Sequence, residues 1–531
     1  MLFTSYEFIG FVLVLFLLYY IVPKKSQWML LLAASYVFYA LADLRYLAFI
    51  GATTLSSYAA SRLMGRVSDS ERIWLDTSGS GLSKDERKVY KAKCKKKRFN
   101  ILILALLFNF GILAVLKYTA FAVYNVNSLL HSFGVSEMTV AVPSLLLPMG
   151  ISFYTFGTMG YLIDAYRGKA AIEKNLFKMA LFVSFFPQLV QGPISRFSDL
   201  EPQLVSEHRF DVRGFSFGVQ RILWGYFKKL VIADRALVAV NTLIDSPDEY
   251  RGAYVFLLII LYSIQIYADF TGGIDITIGI AEALGIKLTE NFKRPFSSRS
   301  TKEYWNRWHI TMGSWFTDYV FYPISVCRPM LAISKKSRAI FGKTIGKRVP
   351  VYLATAITWF LTGVWHGAGW NFIVWGMLNC LVILVSQELE PLYAKFRAKF
   401  PKLAASNGYG AFMAIRTFLL MGLIRSLDCY RNVGLTFSLW GSMLTTFNIG
   451  ELFGGGALEL GLGVSDYIII LVGCAIVFVV SKCGKEKSVR ERLYERPVLS
   501  AVCFSALFIA IILFGAYSVG YDASQFIYNQ F

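Results

Sequence analysis

The chain has 531 residues, of which 56% are hydrophobic, 16% aromatic and only 17% charged, and its formal net charge is +20. This composition excludes a water-soluble globular protein and indicates a protein that crosses a membrane many times. The basic residues lie between apolar runs and form no separate folded segment, which argues against a nucleic-acid-binding protein.

Long apolar runs recur along the whole chain, from Phe3–Val22 to Val498–Val519. Because one crossing takes about 20 residues, we predict an all-α fold with roughly eleven to thirteen membrane-embedded helices, some too short to cross alone. The first run has neither a basic segment before it nor a cleavage site after it, so we expect it to remain as a membrane helix. We expect one integral-membrane domain over residues 1–531.

Three basic clusters interrupt the apolar runs. Arg62–Arg98 holds twelve Lys and Arg residues, Arg328–Arg348 holds seven without an acidic residue, and Lys482–Arg496 holds six. Because basic loops of membrane proteins remain in the cytoplasm, all three are predicted to be cytoplasmic, with the N-terminus outside. Residues 65–98 are the longest polar insertion, and we predict that they form a basic, partly helical cytoplasmic loop that acts as a solvated tether.

Proline and glycine break the apolar sequence between Pro143 and Gly214, at Pro148, Gly150, Pro187, Gly192 and Pro193. Such breaks predict interrupted or re-entrant helices. A membrane tolerates non-helical backbone only where it is covered by protein or lines a water-filled cavity.

Two carboxylates lie in the next apolar stretch, "IQIYADFTGGIDITIGIAEALG", where Asp269 and Asp275 flank a Gly-Gly pair. Acidic residues in such sequence are costly, and they commonly mark functional sites or hydrogen-bonded contacts between helices. Either carboxylate could orient a histidine or line a polar tunnel, and a role in helix packing is as plausible for each.

The segment "SSRSTKEYWNRWHITMGSWFTDYVFYPI" predicts an amphipathic aromatic helix over residues 300–322. Ser300 and Glu303 have the spacing of a helix-capping box. The aromatic stripe recurs at steps of three and four, which places it on a single helix face: Trp305, Trp308, Met312, Trp315, Tyr319 and Tyr322. His309 lies at the edge of this stripe.

Only four histidines occur, and His309 and His366 stand out because each follows a tryptophan in apolar or aromatic sequence. His366 is the only Asp, Glu, Lys, Arg or His between Val351 and Val385, and it lies in the middle of the segment 358–379. A neutral histidine can accept a proton at physiological pH. A core histidine bonded to a carbonyl is the alternative, although the nearby glycines leave room for a ligand or for another backbone.

Several common catalytic motifs are missing from the sequence. It has no HExxH or Walker loop, and no clustered spacing of metal ligands. Zinc and ATPase chemistries therefore have no support, and we expect no metal site.

A set of motifs in chain order resembles the membrane-bound O-acyltransferase superfamily: "LPMGISFYTFGTMGYLIDAYRG", "FFPQLVQGPISRFSDLEPQL", "YFKKLVIADRAL", "YWNRWHITMGSWFTDYVFYPI", "FLTGVWHGAGWNF" and the terminal "FIYNQF". The similarity is to the bacterial branch that holds alginate O-acetyltransferases, peptidoglycan O-acetyltransferases and the D-alanyl transfer protein of teichoic acids. The sequence departs from alginate-type members in its extended basic loop before Phe99 and in the basic stretch "SVCRPMLAISKKSRAIFGKTIGKR".

The resemblance implies a multi-pass enzyme of the bacterial plasma membrane with a central funnel or tunnel. It implies that His366, in the "WHG" motif, is catalytic, that His309 belongs to the "RWH" motif, and that Asp269 and Asp275 occupy the acidic positions of the glycine-broken helix. No bound cofactor is implied, since acyl-CoA, with acetyl-CoA favoured, would be the donor substrate.

The leading hypothesis is an O-acyltransferase that takes an acetyl group from a cytoplasmic thioester and passes it outward to a cell-surface or secreted polysaccharide. The acceptor is either the polysaccharide or an extracytoplasmic relay acyltransferase, and membrane lipid is the surrounding partner. Three alternatives stay open: D-alanyl transfer to teichoic acid from a carrier protein, a transporter that uses the same polar pathway, and a non-catalytic scaffold.

Overall fold

The computed structural model describes residues 3–81, 83–135, 139–484 and 488–517. The structure is 80% helical, and its described residues contain no strand beyond an isolated antiparallel bridge between Phe292 and Trp308. The all-α prediction is confirmed. The motif "FIYNQF" and residues 485–487 of the basic cluster at 482–496 lie outside the described residues.

The structure divides into two compact units, and a single integral-membrane domain over residues 1–531 stays a prediction. The first comprises Met1–Gly218 and Ile280–Thr289, and the second comprises Val219–Gly279 and Glu290–Phe531. Two of the three boundaries fall inside continuous helices, Val212–Tyr226 and Ala253–Ala283, and the third lies between residues 289 and 290.

Among the described residues, nine α-helices begin in the first unit: α1 (Tyr6–Ile21), α2 (Gln27–Ala40), α3 (Tyr46–Thr77), α4 (Lys84–Ser132), α5 (Ile151–Tyr166), α6 (Leu176–Ser184), α7 (Phe186–Leu189), α8 (Phe197–Val205) and α9 (Val212–Tyr226).

The helices that begin in the second unit are α10 (Asp234–Asp245), α11 (Ala253–Ala283), α12 (Thr301–Trp305), α13 (Ile310–Phe316), α14 (Tyr322–Ser325), α15 (Arg328–Gly346), α16 (Val349–His366), α17 (Trp370–Glu388), α18 (Glu390–Lys399), α19 (Pro401–Ala405), α20 (Asn407–Tyr430), α21 (Val433–Thr445), α22 (Ile449–Phe453), α23 (Val464–Cys483), α24 (Val489–Tyr494) and α25 (Pro497–Phe514). Phe227–Ala233 and Thr317–Phe321 form π-helical turns.

Six of the described helices are long and apolar enough to cross a membrane, namely α4, α11, α17, α20, α23 and α25, and two shorter apolar helices are α1 and α21. The sequence predicted roughly eleven to thirteen embedded helices, some too short to cross alone. Several apolar runs form helices shorter than one crossing, such as the nine-residue α6. These findings fit a multi-pass membrane protein.

The described residues of the predicted partly helical loop at 65–98 form two helices that pack against each other rather than a flexible tether, and its cytoplasmic location stays a prediction. Helix α3 continues to Thr77, and α4 begins after a capping box in which Ser83 Oγ accepts from the Glu86 amide at 3.3 Å. Arg98 bridges back to Glu71 at 3.2 Å. Lys, Arg, Glu and Ala favour helix strongly, and this explains why the basic sequence extends α4.

Breaks in the helices occur between 143 and 214, as the prolines and glycines predicted. Gly150 adopts a φ of 73°, and a Cβ there would lie 2.1 Å from the carbonyl oxygen of Leu189. Phe185 has non-helical angles and separates α6 from α7, whose first turn contains Pro187. Whether these segments are re-entrant stays a prediction.

The single amphipathic helix predicted over 300–322 is replaced by α12, α13, a π-helical turn and α14. Ser300 caps α12 as predicted, because its Oγ accepts from the Glu303 amide at 3.2 Å. The helix then stops because the chain at 307–310 pairs with residues 291–293. The Lys293 amide donates to the Arg307 carbonyl and the Ile310 amide donates to the Asn291 carbonyl, each at 2.9 Å.

Candidate functional site

His366 is the last residue of α16, and the extended turn Gly367–Gly369 leads into α17. Its side chain is half-buried, whereas the preceding Trp365 is buried. His366 therefore stands where a helix ends and is partly accessible as a residue, although its Nε2 atom is buried.

The glycines near His366 allow two backbones to approach each other closely. A Cβ at Gly363 would lie 2.5 Å from the carbonyl oxygen of Phe372, and one at Gly376 would lie 2.5 Å from that of Trp359. The space beside Gly367 is filled by the ring of Phe372, which a Cβ would meet at 2.0 Å. The sequence left open whether the glycines make room for a ligand or for another backbone. At Gly363 and Gly376 the structure supports close backbone packing.

Tryptophan rings surround the His366 imidazole. The ring of Trp375 lies 4.5 Å from it at 66°, and the ring of Trp365 lies 4.9 Å from it at 73°. Trp305 packs on Trp375 at 5.6 Å and donates from Nε1 to Asn379 Oδ1 at 3.2 Å. These rings restrict the directions from which a substrate can approach His366.

His309 occupies the break between α12 and α13 and is fully buried. Its φ of 49° is left-handed, an uncommon conformation for a residue with a side chain. Nδ1 lies 3.2 Å from Asn291 Oδ1, and the same oxygen accepts from the Thr311 amide at 3.1 Å and from Thr311 Oγ1 at 2.9 Å. Asn291 therefore fixes both the imidazole and the first turn of α13.

The two predicted histidines share a neighbour. The Trp365 ring lies 5.9 Å from the His309 ring and 4.9 Å from the His366 ring. His309 lies outside the six long apolar helices, and burial, followed by the charge of Arg425, lowers its pKa to about 3. A neutral His309 can hold a hydrogen bond but carries no charge at physiological pH.

Asp269 and Asp275 form ion pairs with basic residues near the end of α9. Asp275 binds Arg221 at 2.9 Å and Lys228 at 2.5 Å. Asp269 binds Lys229 at 2.6 Å, and Lys229 also binds Asp234 at 2.7 Å. The π-helical turn Phe227–Ala233 carries both lysines.

Asp269 is nevertheless linked to the histidines through its neighbour in the chain. The ring of Phe270 packs edge-on against His309 at 4.9 Å. The ion pairs of Asp269 and Asp275 hold α11, and α11 presents Phe270 to His309.

Sequence reasoning missed Arg425, which is buried on α20. Its guanidinium lies 4.2 Å from the centre of the Trp308 ring and donates to the Tyr304 hydroxyl at 3.1 Å. An arginine at the end of the apolar run 418–424 was the available signal. Arg425 holds the aromatic residues that precede His309.

Asn291, Lys228 and Lys229 were also missed as site residues. The two lysines lie in the quoted motif "YFKKLVIADRAL", but nothing in the local sequence identifies their partners. Among the described residues, no group of three or more His, Cys, Asp or Glu side chains is arranged to hold a metal ion.

Comparisons with known proteins match this region of the chain. The model of the MBOAT, membrane-bound O-acyltransferase family, matches residues 170–427, a range that contains both histidines and both carboxylates. The chain is 33% identical over 395 residues to a protein of Azotobacter vinelandii named probable alginate O-acetylase AlgI, covering 73% of this chain and 69% of that protein.

Two other relatives carry different names. The peptidoglycan O-acetyltransferase of Helicobacter pylori is 30% identical over 330 residues, which cover 57% of this chain and 58% of that protein. The teichoic acid D-alanyltransferase of Bacillus subtilis is 28% identical over 281 residues, which cover 51% of this chain and 66% of that protein.

Proposed function

Since this chain belongs to the membrane-bound O-acyltransferase family, we propose that it transfers acetyl groups from a cytoplasmic acetyl-CoA thioester, across the membrane, to hydroxyl groups of a cell-surface or secreted polysaccharide. The chain is an O-acyltransferase and a multi-pass membrane protein, for which the bacterial plasma membrane is the expected location. The acceptor is the polysaccharide itself or an extracytoplasmic relay acyltransferase.

The observation that carries the proposal is that the rings of His309 and His366 both lie next to the ring of Trp365. His366 is half-buried and His309 is fully buried. A substrate hydroxyl can therefore reach His366 with less rearrangement than it needs to reach His309. We assign the proton-accepting role to His366.

In the proposed reaction, the acceptor hydroxyl oxygen attacks the thioester carbonyl carbon while the His366 imidazole takes the hydroxyl proton. The carbon–sulfur bond then breaks, the ester forms, and the thiolate of the donor leaves and is protonated. A positioned base contributes typically about 10²–10⁴-fold to such a step. Acetyl-CoA acts here as a substrate, and we propose no bound cofactor.

His309, Asp269 and Asp275 support this chemistry by position. Asn291 holds His309 at the start of α13, and the ion pairs on α11 hold Phe270 against its ring. His309 in turn packs beside Trp365, the residue next to His366. We propose that His309 sets the orientation of the tryptophan that limits access to His366.

A D-alanyl group on a carrier protein is the second candidate donor. It is favoured by the relative named teichoic acid D-alanyltransferase, although the alignment with the probable alginate O-acetylase is longer and more identical. The acceptor in that case would be teichoic acid.

Labelled acetyl-CoA tests the proposal with the purified full chain. The wild-type protein should release labelled acetyl groups to water or to an added acceptor, and His366→Ala should lower this turnover by about 10²–10⁴-fold. His131→Ala is the matched control, because His131 is an exposed histidine on α4, and it should turn over normally.

Two outcomes contradict the proposal. Normal turnover by a well-folded His366→Ala protein would return His366 to a structural role. Labelling from a D-alanyl carrier protein but never from acetyl-CoA would show that the donor is wrong.

A further inference from the structure

Helix α15 presents a cluster of cations without acidic partners. Arg348 pairs with Glu388. The other six basic residues of 328–348 are exposed, and no carboxylate of the described residues forms a salt bridge with them: Arg328, Lys335, Lys336, Arg338, Lys343 and Lys347. Uncompensated charge at this density attracts an anionic surface.

The same helix exposes large apolar side chains between the cations. They are Leu331 at 58%, Ile333 at 36%, Ile340 at 62%, Phe341 at 55% and Ile345 at 56% exposure. Ile333 and Ile340 are seven residues apart, which is about two helical turns, so they share one stripe. A helix exposed only to water would gain nothing from these five side chains, whereas a lipid surface would cover them.

Protein covers the opposite side of α15, so the side that carries the exposed residues faces away from the protein. Met330, Ser334 and Ser337 are buried at spacings of four and three. At Gly342, with a φ of 76°, the chain turns back, and Ser337 Oγ donates to the Gly346 carbonyl at 2.8 Å. The turn brings the segment that carries Lys343 and Lys347 alongside Arg338, since a Cβ at Gly346 would lie 2.4 Å from Arg338 Cα.

The contacts made just after the C-terminal end of α15 indicate its depth relative to the membrane. Arg348 and Tyr352 both contact the carboxylate of Glu388. Glu388 is the last residue of α17, one of the helices long and apolar enough to cross a membrane. The end of such a helix lies at the boundary between hydrocarbon and headgroups.

We propose that α15 lies on the membrane surface and binds anionic phospholipid headgroups through the six unpaired cations of residues 328–348, while its exposed apolar side chains enter the acyl boundary. Interfacial helices combine these features, with basic and apolar residues side by side on one exposed surface. An acidic protein would also match the charges, but the contact of Arg348 with the end of α17 places the cluster at the level of the headgroups. The proposal is independent of the acyl group that the protein transfers.

The test places the full chain in nanodiscs of phosphatidylcholine alone or of a 3:1 mixture with phosphatidylglycerol. A fluorophore on Ile340→Cys, in a background without the native cysteines, reports insertion through quenching by nitroxide-labelled lipid. Amide hydrogen exchange reports the protection of residues 328–348. Phosphatidylglycerol should increase both quenching and protection, and high salt should reverse the increase because screening weakens headgroup attraction.

The triple variant Lys335→Gln, Lys336→Gln, Arg338→Gln should lose the response to phosphatidylglycerol, with an apparent lipid affinity at least about tenfold lower. The control variant Lys88→Gln, Lys91→Gln, Lys95→Gln removes the same charge from α4 and should leave residues 328–348 unchanged.

Two results would overturn the proposal. One is equal quenching and protection in neutral and anionic nanodiscs. The other is protection by an added acidic carrier protein that needs no phosphatidylglycerol, which would make α15 a protein-docking surface.

Discussion

At the scale of single residues, the site depends on side chains that fix one another rather than on the two histidines alone. His309 is bonded by Asn291 and contacted by Phe270, and Arg425 packs on the Trp308 ring that precedes it. The left-handed φ of His309 stores strain that these contacts must offset. The backbone conformation of His309 and its imidazole therefore make separable contributions to stability and to activity.

Two substitutions at His309 separate these contributions. Asparagine tolerates left-handed φ better than alanine does, so His309→Asn should unfold at nearly the wild-type temperature while His309→Ala unfolds earlier. Both should lower acetyl turnover, by up to about 10²-fold, because Trp365 beside His366 loses its ring contact. Thermal unfolding and turnover are measured on each variant. Full turnover by His309→Asn would limit His309 to a backbone role.

The buried ion pairs of Lys229 give a second prediction at this scale. Lys229 is fully buried between Asp234 and Asp269, so Lys229→Met leaves two buried carboxylates without their cation. The free energy of unfolding should fall by about 3–5 kcal/mol. Arg397→Met removes an exposed pair with Glu390 and should cost less than about 1 kcal/mol. Denaturation in detergent measures the free energy of unfolding of both variants. An equal loss of stability in the two variants would contradict the larger effect expected for the buried pairs.

At the scale of helices, α16 and α17 form a close pair that carries His366. Gly363 and Gly376 bring the two backbones together, and Trp375 of α17 lies against the imidazole. Small residues at such crossings are typical of membrane helices, because close backbone approach maximises packing where no hydrophobic force exists between helices.

Gly363→Ala tests this pair. The added Cβ would meet the Phe372 carbonyl oxygen at 2.5 Å, so the helices must separate, at a cost of about 1–3 kcal/mol. Turnover should fall as well, because His366 follows one turn later. Gly441→Ala in α21 is the control, since nothing lies within 4 Å of the added carbon, and it should be neutral or slightly stabilising. Unchanged stability and turnover in Gly363→Ala would show that α16 and α17 can adjust freely.

At the scale of the whole molecule, the distribution of charge predicts the orientation in the membrane. The clusters at 62–98, 328–348 and 482–496 are all predicted to face the cytoplasm. The hairpin of α3 and α4 shows that one of these clusters is folded rather than a tether.

Cys483 tests the orientation because it is exposed, whereas Cys94 is buried and would report little. An impermeant maleimide should label Cys483 only after the cells are permeabilised. A Cys483→Ser variant supplies the background signal. Labelling of Cys483 in intact cells would reverse the predicted orientation.

The sequence by itself determined the all-α membrane class, the family and the two unusual histidines, because hydropathy, charge clusters and short motifs are local properties of the chain. It also located the start of α12 at Ser300 and the breaks at Gly150 and Pro187. Capping and proline or glycine effects act over a few residues.

The tertiary structure alone decided the rest. The period of the aromatic stripe predicted one helix over 300–322, but pairing with residues 291–293 stops it and places His309 in a left-handed turn. The ion pairs of Asp275 join residues 47 and 54 positions apart. Such partners are selected by the packing of α9 against α11, where close contact between helices fixes which charges meet, and no local pattern in the sequence encodes that choice.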